Sequence, residues 1–292
     1  MKLSPFIRIL RPTQWTKNVF VLAPLMFGFK LTTASFVASA LLATVVFSLL
    51  ASALYIVNDF IDMEADRKHA KKNRRPLAKG EITKPQAIAI VAVLIGLTGL
   101  ISLYAGFDKS FWIFLLLYTV FTLAYSFGLK QVALLELFIV ASGYMLRLLA
   151  GCAAIQELPS PWILAATGTI ALLIATGKRR AELAENHDPE QHRLSLRQYN
   201  LVFLDSVITM LAGVTFVTYL LFTTSDYAIA RYHTPYFVAT SVFVLYGVLR
   251  YLQLVKVTGG ADDPTTLILT DRSLCIAVAG WIVTCIGFIY YA

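Results

Sequence analysis

Residues 58–76 read NDFIDMEADRKHAKKNRRP, and they directly follow the apolar run SFVASALLATVVFSLLASALYIV of residues 35–57. The apolar run is long enough to cross the hydrocarbon core of a membrane as one helix. The charged stretch then gathers acids and bases at the end of that helix, in a chain that is 58% hydrophobic and only 14% charged. Together the two segments predict a membrane span that ends in a polar site.

Similar apolar runs recur along the whole chain of 292 residues. They predict an all-α integral membrane bundle of about nine transmembrane helices. We find no linker or short repeat, so we expect a single catalytic domain over residues 1–292. The runs lie near residues 19–29 (short), 35–57, 85–105, 110–127, 132–154, 160–177, 206–223, 234–253 and 273–291.

The placement of the net charge of +8 gives the orientation. Most lysines and arginines fall between the predicted spans on one side, whereas the opposite side carries only Lys30, Lys109 and Arg231. By the positive-inside rule, the N-terminus is cytoplasmic and the C-terminus lies outside. A basic membrane boundary explains the charge, so we expect no nucleic-acid partner.

Cys152, Cys275 and Cys285 lie inside spans without metal-ligand spacing and are expected to be small apolar fillers.

Three oxygen-bearing side chains line one face at the end of the second span. Asn58, Asp62 and Asp66 recur every four residues, and Asp59 lies close to the same face. Hard divalent cations such as Mg²⁺ prefer such ligands and complete their shell with water and substrate phosphate oxygens. The alternative is that the acids only cap the helix, but stacked carboxylates repel one another unless a cation is present. We therefore predict a magnesium site.

The basic run from Arg67 to Arg75 follows at once. Arginine suits bidentate phosphate contacts, so acids and bases together predict a magnesium-diphosphate site. An ordinary cytoplasmic loop is the alternative for the basic run alone.

Lys17 is expected to reach a phosphate from the N-terminal side. After the loop, Thr83 is predicted to cap the next helix.

Two ionisable residues fall inside the fifth predicted span. Glu136 and Arg147 are eleven residues apart, about three turns, and so share a helical face. Such residues normally face the bundle interior or a wet cavity. Either each is neutralised by a neighbouring helix, or Arg147 binds a phosphate in a polar cavity.

Further polar residues follow the fourth and sixth spans, on the same predicted side. Tyr125 and Lys130 end the fourth span, and Lys130 is either a topology signal or a phosphate ligand. The sixth ends in GKRRAELAE of residues 177–185, where Arg179 and Glu182 are spaced for an ion pair. This cluster is either a self-satisfied ion-pair surface or part of a cavity shared with the first cluster.

These motifs resemble the UbiA superfamily of membrane prenyltransferases. The resemblance is closer to its branch of decaprenyl-phosphate phosphoribosyltransferases, whose pattern covers nearly the whole chain. The residues that carry it are Arg11-Pro12-x-Gln14-Trp15-x-Lys17-Asn18, Asn58-Asp59-x-x-Asp62-x-Glu64-Ala65-Asp66-Arg67-x-His69 with Arg75-Pro76, Ser142-Gly143 through Arg147 to Ala150-Gly151, Gly177-Lys178-Arg179 with Ala181-Glu182-Leu183, and Asp271-Arg272.

The resemblance implies Mg²⁺-dependent transfer of a 5-phosphoribosyl group from phosphoribosyl diphosphate (PRPP) to a polyprenyl phosphate such as decaprenyl phosphate. It implies a bacterial cytoplasmic (inner) membrane enzyme whose active site faces the cytoplasm and whose product feeds lipid-linked arabinose donors for the cell wall; a homo-oligomer is compatible with it. Asn58, Asp62 and Asp66 would hold the metal. The expected substrate-binding residues are Lys17, Arg67, Lys72, Arg75, Tyr125, Lys130, Arg147, Lys178, Arg179 and Glu182.

The sequence departs from the superfamily in two places. Typical members carry a second aspartate-rich motif after the sixth span, where this chain has Lys178-Arg179-Arg180-Ala181-Glu182. Bases there favour a second anionic group over a second metal. Glu136 stands where the branch is expected to carry aspartate. Two rival functions stay open: a prenyltransferase that uses an isoprenyl diphosphate with a small or aromatic acceptor, and a transporter of anionic lipids.

Overall fold

The computed structural model describes residues 4–68, 72–185 (the last by its backbone), 194–257, 267 and 270–291. All regular structure within these ranges is helical. Residues 69–71 of the charged stretch, including His69, lie outside the described part. The helices are α1 (Pro5–Arg8), α2 (Val19–Phe27), α3 (Ala34–Ile61), α4 (Met63–Lys68), α5 (Lys84–Tyr104), α6 (Lys109–Phe127), α7 (Leu135–Ala154), α8 (Pro161–Glu185), α9 (Leu201–Thr224), α10 (Asp226–Tyr232), α11 (Ser241–Lys256) and α12 (Arg272–Tyr291).

Among the described residues, eight helices are long and apolar enough to cross a membrane. They are α3, α5 to α9, α12, and α11 together with the 3-10 helix Pro235–Thr240 that precedes it. The short run predicted at 19–29 forms α2, which has nine residues with Pro24 inside. The predicted all-α membrane class is confirmed, and α2 is the predicted span that falls short of membrane-crossing length. The orientation of the termini stays a prediction.

The chain forms two compact units. Unit 1 comprises Met1–Leu129 and Leu146–Leu158, and unit 2 comprises Lys130–Met145 and Pro159–Ala292. Both contain predicted site residues, and the single catalytic domain stays a prediction.

In unit 1, the long helix α3 packs against α2, α5 and α6. Phe47 and Phe111 are fully buried in this core and meet edge to face, with ring centroids 6.5 Å apart. This packing holds the charged end of α3 at a defined place. The start of α5 is equally defined, because Thr83 and Gln86 form the reciprocal hydrogen bonds of a capping box. The predicted cap at Thr83 is confirmed.

In unit 2, α9 packs against α8 and α11, and α11 packs against α12. A polar cluster joins α9, α12 and the 3-10 helix Pro235–Thr240. The Tyr219 hydroxyl accepts a hydrogen bond from the Trp281 indole at 2.7 Å and lies 2.7 Å from the Thr240 hydroxyl. In a membrane, such hydrogen bonds between helices add to packing as the force that holds them together.

Candidate active site

The predicted metal ligands span a short break between two helices. Helix α3 ends at Ile61, Asp62 occupies its C-cap, and α4 begins at Met63. The backbone N–H of Asp62 donates to the Asn58 carbonyl at 2.9 Å, and that of Asp66 donates to the Asp62 carbonyl at 2.8 Å. The four-residue periodicity that aligned Asn58, Asp62 and Asp66 in the sequence therefore continues through the break.

An arginine from the following loop joins two of the acids. Arg75 Nη1 lies 2.9 Å from Asp59 Oδ1 and 2.6 Å from Asp66 Oδ2. Arg11, from the N-terminal segment, also forms an ion pair with Asp59 Oδ1. Asp59 and Asp66 are only 2% and 3% exposed, so each carboxylate needs such a partner to stay charged.

The electrostatic balance at Asp66 differs from that of an exposed carboxylate. Burial raises the pKa of the Asp66 carboxyl above its ordinary value, and the Arg75 guanidinium opposes that rise. The Asp59 charge raises this pKa further, whereas Lys72 lowers it. Burial is therefore the larger influence on Asp66, and its two basic neighbours offset it only in part.

The donor set fits Mg²⁺ bound together with a substrate. In the described part of the chain, no group of three or more histidine, cysteine, aspartate or glutamate residues is arranged to hold a metal by itself. Mg²⁺ commonly takes only one or two carboxylates and completes its octahedron with water and phosphate oxygens. The Asn58 amide oxygen accepts a hydrogen bond from the Ser126 hydroxyl at 3.0 Å, which orients it and leaves a second lone pair.

The predicted phosphate ligands of unit 1 are placed as follows. Arg67 Nη1 pairs with Glu64 at 2.9 Å, and its Nε donates to the Ala78 carbonyl at 3.3 Å. Lys72 is half-buried in a 3-10 turn, close enough to influence Asp66. Half-buried Lys17 lies in the last turn of the 3-10 helix Pro12–Asn18, and half-buried Tyr125 lies in the last turn of α6. Their phosphate contacts stay predictions.

Arg147 lies in the interior of unit 1 and is 3% exposed. Its Nε donates to the Asn18 amide oxygen at 2.7 Å, and its Nη2 donates to the Tyr118 hydroxyl at 2.8 Å. Asn18 in turn donates to the Ser48 hydroxyl at 2.8 Å. The guanidinium also lies over the Tyr118 ring, 4.7 Å from its centroid. These contacts orient the arginine, and its proposed phosphate contact stays a prediction.

In unit 2, Arg179 lies between two glutamates. Its Nε is 2.7 and 2.8 Å from the two oxygens of Glu136, and its Nη1 pairs with Glu182. Glu136 is fully buried and Arg179 nearly so, at 2% exposure. The i+3 pair expected between Arg179 and Glu182 is present. Glu136, whose role the sequence left open, is the buried counter-ion of Arg179.

Two further predicted residues of unit 2 lie near polar backbone. The Lys130 carbonyl accepts a hydrogen bond from the Ser195 hydroxyl at 3.0 Å, and the Lys130 side chain is half-buried. Lys178 is also half-buried, one residue before Arg179 on α8. Their phosphate contacts also stay predictions.

The comparison with known families agrees with this geometry. Residues 21–270 match the family described as "UbiA prenyltransferase family". The chain belongs to this family. The UbiA resemblance read from the sequence is therefore confirmed, and so is the conclusion that the protein is a transferase.

The relatives within the UbiA family are similar over nearly their whole length. The chain is 36% identical over 290 residues to the decaprenyl-phosphate phosphoribosyltransferase of Mycobacterium tuberculosis, covering 95% of this chain and 92% of the relative. It is 34% identical over 293 residues to the enzyme of the same name from Corynebacterium glutamicum, covering 97% and 86%.

A solved UbiA homolog from Archaeoglobus fulgidus, bound to GPP and Mg²⁺, superposes with a TM-score of 0.73 at 19% identity, covering 98% of this chain and 99% of that one. At that identity the likeness shows the fold alone. The chain is accordingly a multi-pass membrane protein of the UbiA fold.

Sequence reasoning missed the roles of three residues around the end of α3 in unit 1. Arg11 and Ser126 were not predicted as site residues, and Asp59 was placed near the metal face rather than between two arginines. Only the order of the motifs pointed to Arg11, since it opens the segment that includes Lys17. No local periodicity connects it to Asp59, which is 48 residues away.

Proposed function

We propose that this UbiA-family enzyme transfers the 5-phosphoribosyl group of PRPP to a polyprenyl phosphate, decaprenyl phosphate or a similar lipid, and releases diphosphate. The observation that carries the proposal is the end of α3, where the backbone places Asn58, Asp62 and Asp66 at four-residue intervals and Asp66 pairs with Arg75. The similarity to two decaprenyl-phosphate phosphoribosyltransferases supports this choice of substrates.

Asn58, Asp62 and Asp66 would hold Mg²⁺ on the diphosphate of the donor. A metal held there would supply positive charge to the diphosphate leaving group. Lys17, Arg67, Lys72 and Arg75 bind the remaining diphosphate oxygens, so the leaving group is neutralised in place.

The remaining predicted ligands bind the other anionic groups, the ribose 5-phosphate and the lipid phosphate. Each of these ligands has a polar or basic side chain and lies within a span or near the end of one. They are Tyr125, Lys130, Arg147, Lys178 and Arg179. Glu182 holds Arg179 in place. The acceptor phosphate is already ionised near neutral pH, so the proposal needs no dedicated general base. Displacement through an oxocarbenium-like state inverts the anomeric carbon.

We place the enzyme in a bacterial cytoplasmic membrane with the reaction on the cytoplasmic side. PRPP is a water-soluble, highly charged donor, and most lysines and arginines lie on the side predicted to be cytoplasmic.

A UbiA prenyltransferase acting on an isoprenyl diphosphate is the second candidate. The structural relative with bound GPP favours it. The base Lys178, where a second aspartate motif is expected, favours PRPP, since a base there suits its additional phosphate.

The test is transfer in reconstituted proteoliposomes. Labelled PRPP, a polyprenyl phosphate and Mg²⁺ are supplied to the wild type and to Asp62→Asn and Lys178→Ala. We expect label in the lipid phase, reduced at least about 100-fold in Asp62→Asn and about tenfold in Lys178→Ala. The control is Lys109→Gln, at the start of α6, which removes one exposed charge at the predicted outer face.

Lys109→Gln should retain wild-type transfer. Folded wild-type protein that leaves PRPP unused and transfers an isoprenyl group from geranyl diphosphate would refute the phosphoribosyl assignment.

A further inference from the structure

Arg75 occupies the space between two buried carboxylates. Its Nη1 is within 3 Å of both Asp59 Oδ1 and Asp66 Oδ2, at 2.9 and 2.6 Å. One guanidinium nitrogen therefore contacts both Asp66 and Asp59. Of these two acids, only Asp66 is a predicted metal ligand.

Asp59 is held from a second direction. Arg11 pairs with the same oxygen, Oδ1, and its guanidinium carbon lies 5.2 Å from the centre of the Tyr55 ring. Arg11 adopts a left-handed backbone conformation with φ +52°. Such a conformation is uncommon for a residue other than glycine and persists where surrounding contacts hold it. Asp59 therefore has a second arginine partner, Arg11, in addition to Arg75.

Among the described residues, Arg75 is the arginine that pairs with Asp66, and a metal bound at Asp66 would share the charge of that carboxylate with it. A divalent cation bound at Asp66 and the Arg75 guanidinium are both positive and compete for the same carboxylate. Since Arg75 also contacts Asp59, losing the contact with Asp66 does not release it into solution. Its contact with Asp59, at 2.9 Å, would still hold it near Asp66.

We propose that Asp59 is a positioning residue that retains Arg75 while Asp66 exchanges Arg75 for the metal ion, so that the freed guanidinium binds the donor's diphosphate. The inference rests on the proposed function for the diphosphate, but not on the identity of the group that is transferred. It assigns separate roles to two neighbouring acids: Asp66 binds the metal, and Asp59 acts only through Arg75.

The exchange predicts effects of opposite sign for one substitution. Arg75→Gln removes the competitor at Asp66 and should tighten binding of bare Mn²⁺ about threefold or more. The same change removes a charged ligand of the diphosphate and should weaken binding of Mn²⁺-diphosphate about tenfold. A merely structural arginine would weaken both.

The experiment measures Mn²⁺ binding to the full-length protein in detergent by the EPR signal of free Mn²⁺, with and without inorganic diphosphate. The matched control is Lys79→Gln, which removes one positive charge from the same loop; Lys79 is exposed and pairs with Glu81. A simple loss of charge predicts equal tightening of Mn²⁺ binding in both variants. The exchange predicts tighter Mn²⁺ binding for Arg75→Gln, and a change in Mn²⁺ affinity of less than about twofold for Lys79→Gln.

The role of Asp59 is tested by a double-mutant cycle in the same assay. Asp59→Asn should weaken diphosphate binding in the wild type but add little in the Arg75→Gln background, because its effect passes through Arg75. If Asp59→Asn does not fold, Asp59→Glu takes its place in the cycle, and the Arg75→Gln comparison still decides the exchange.

Unchanged or weaker Mn²⁺ binding in Arg75→Gln, or additive effects of the two substitutions, would overturn the proposal. Both ligands are inorganic, so the result is independent of whether PRPP is the donor. A protein that passes this test but fails to transfer phosphoribose would disprove the proposed function alone.

Discussion

Replacing Gly151 with alanine should separate two closely packed helices. Gly151 lies on α7, and a Cβ built there would be 2.2 Å from the carbonyl oxygen of Val21 on α2 and 2.9 Å from its carbonyl carbon. The obstructing atoms are backbone, so no rotamer change relieves the clash. The helices must move apart by about 1 Å to reach an ordinary contact, which costs about 1–3 kcal/mol as overpacking.

The displacement would also reach the site. Asn18 precedes Val21 by three residues and Arg147 precedes Gly151 by four, so the 2.7 Å hydrogen bond between them lies about one turn from the clash. We therefore expect a loss of transfer activity together with a loss of stability. A cost of 2 kcal/mol corresponds to a fall in Tm of roughly 4–8 °C.

The assay is thermal unfolding of the purified protein in detergent, with Gly96→Ala as the matched control. Gly96 lies on α5, and apart from the adjoining backbone of its own helix no atom of the described residues lies within 4 Å of the Cβ it would gain. Alanine is the better helix former, so the control should unfold at or slightly above the wild-type temperature. Equal Tm values for Gly151→Ala and Gly96→Ala would refute the close approach of α2 and α7.

Glu136→Gln should lower the free energy of unfolding by about 3 kcal/mol, since it leaves the buried charge of Arg179 with one acidic partner fewer, and adding Arg179→Gln should recover part of the loss in the same thermal assay. An unchanged Tm in the single variant would contradict a buried pair. Arg250 holds the pKa of Asp271 below its usual range, so this pair stabilises the fold above about pH 4 and its contribution is lost as the pH falls through the lowered pKa. The Tm difference between wild type and Asp271→Asn should accordingly be present at pH 7 and disappear as the pH falls through the lowered pKa of Asp271, and a difference independent of pH would be inconsistent with the ion pair. Removing divalent cations with EDTA should abolish transfer and added Mg²⁺ should restore it; persistent activity in EDTA would exclude the metal site.

Hydrophobic run length predicted most of the fold. The apolar run at 35–57 became α3, which extends to Ile61, because the helix continues into the polar residues until Asp62 caps it. The run at 19–29 contains Pro24 and forms a helix of only nine residues. The length of a hydrophobic run predicts where the apolar part of a helix lies. The ends of the helix depend on capping residues and prolines, which run length does not take into account.

Periodicity predicted the local part of the site and missed its distant pairings. Asn58, Asp62 and Asp66 lie four residues apart along one helical path, so their alignment could be predicted from the sequence. The joining of Asp59 to Arg75 depends on a loop that returns to the helix end, and its pairing with Arg11 depends on the packing of the N-terminal segment. For Glu136 and Arg147, the shared helical face was predictable, but their partners Arg179 and Asn18 come from other helices.

The most direct test of the central claim follows the two ends of the donor separately. PRPP labelled with ³²P at its 5-phosphate and PRPP labelled at the β-phosphate are each incubated with proteoliposomes, polyprenyl phosphate and Mg²⁺. Phosphoribosyl transfer predicts that the 5-phosphate label enters the lipid phase while the β-phosphate label stays in the water phase as diphosphate. Entry of the β-phosphate label into the lipid, or no lipid label from either donor, would contradict the account.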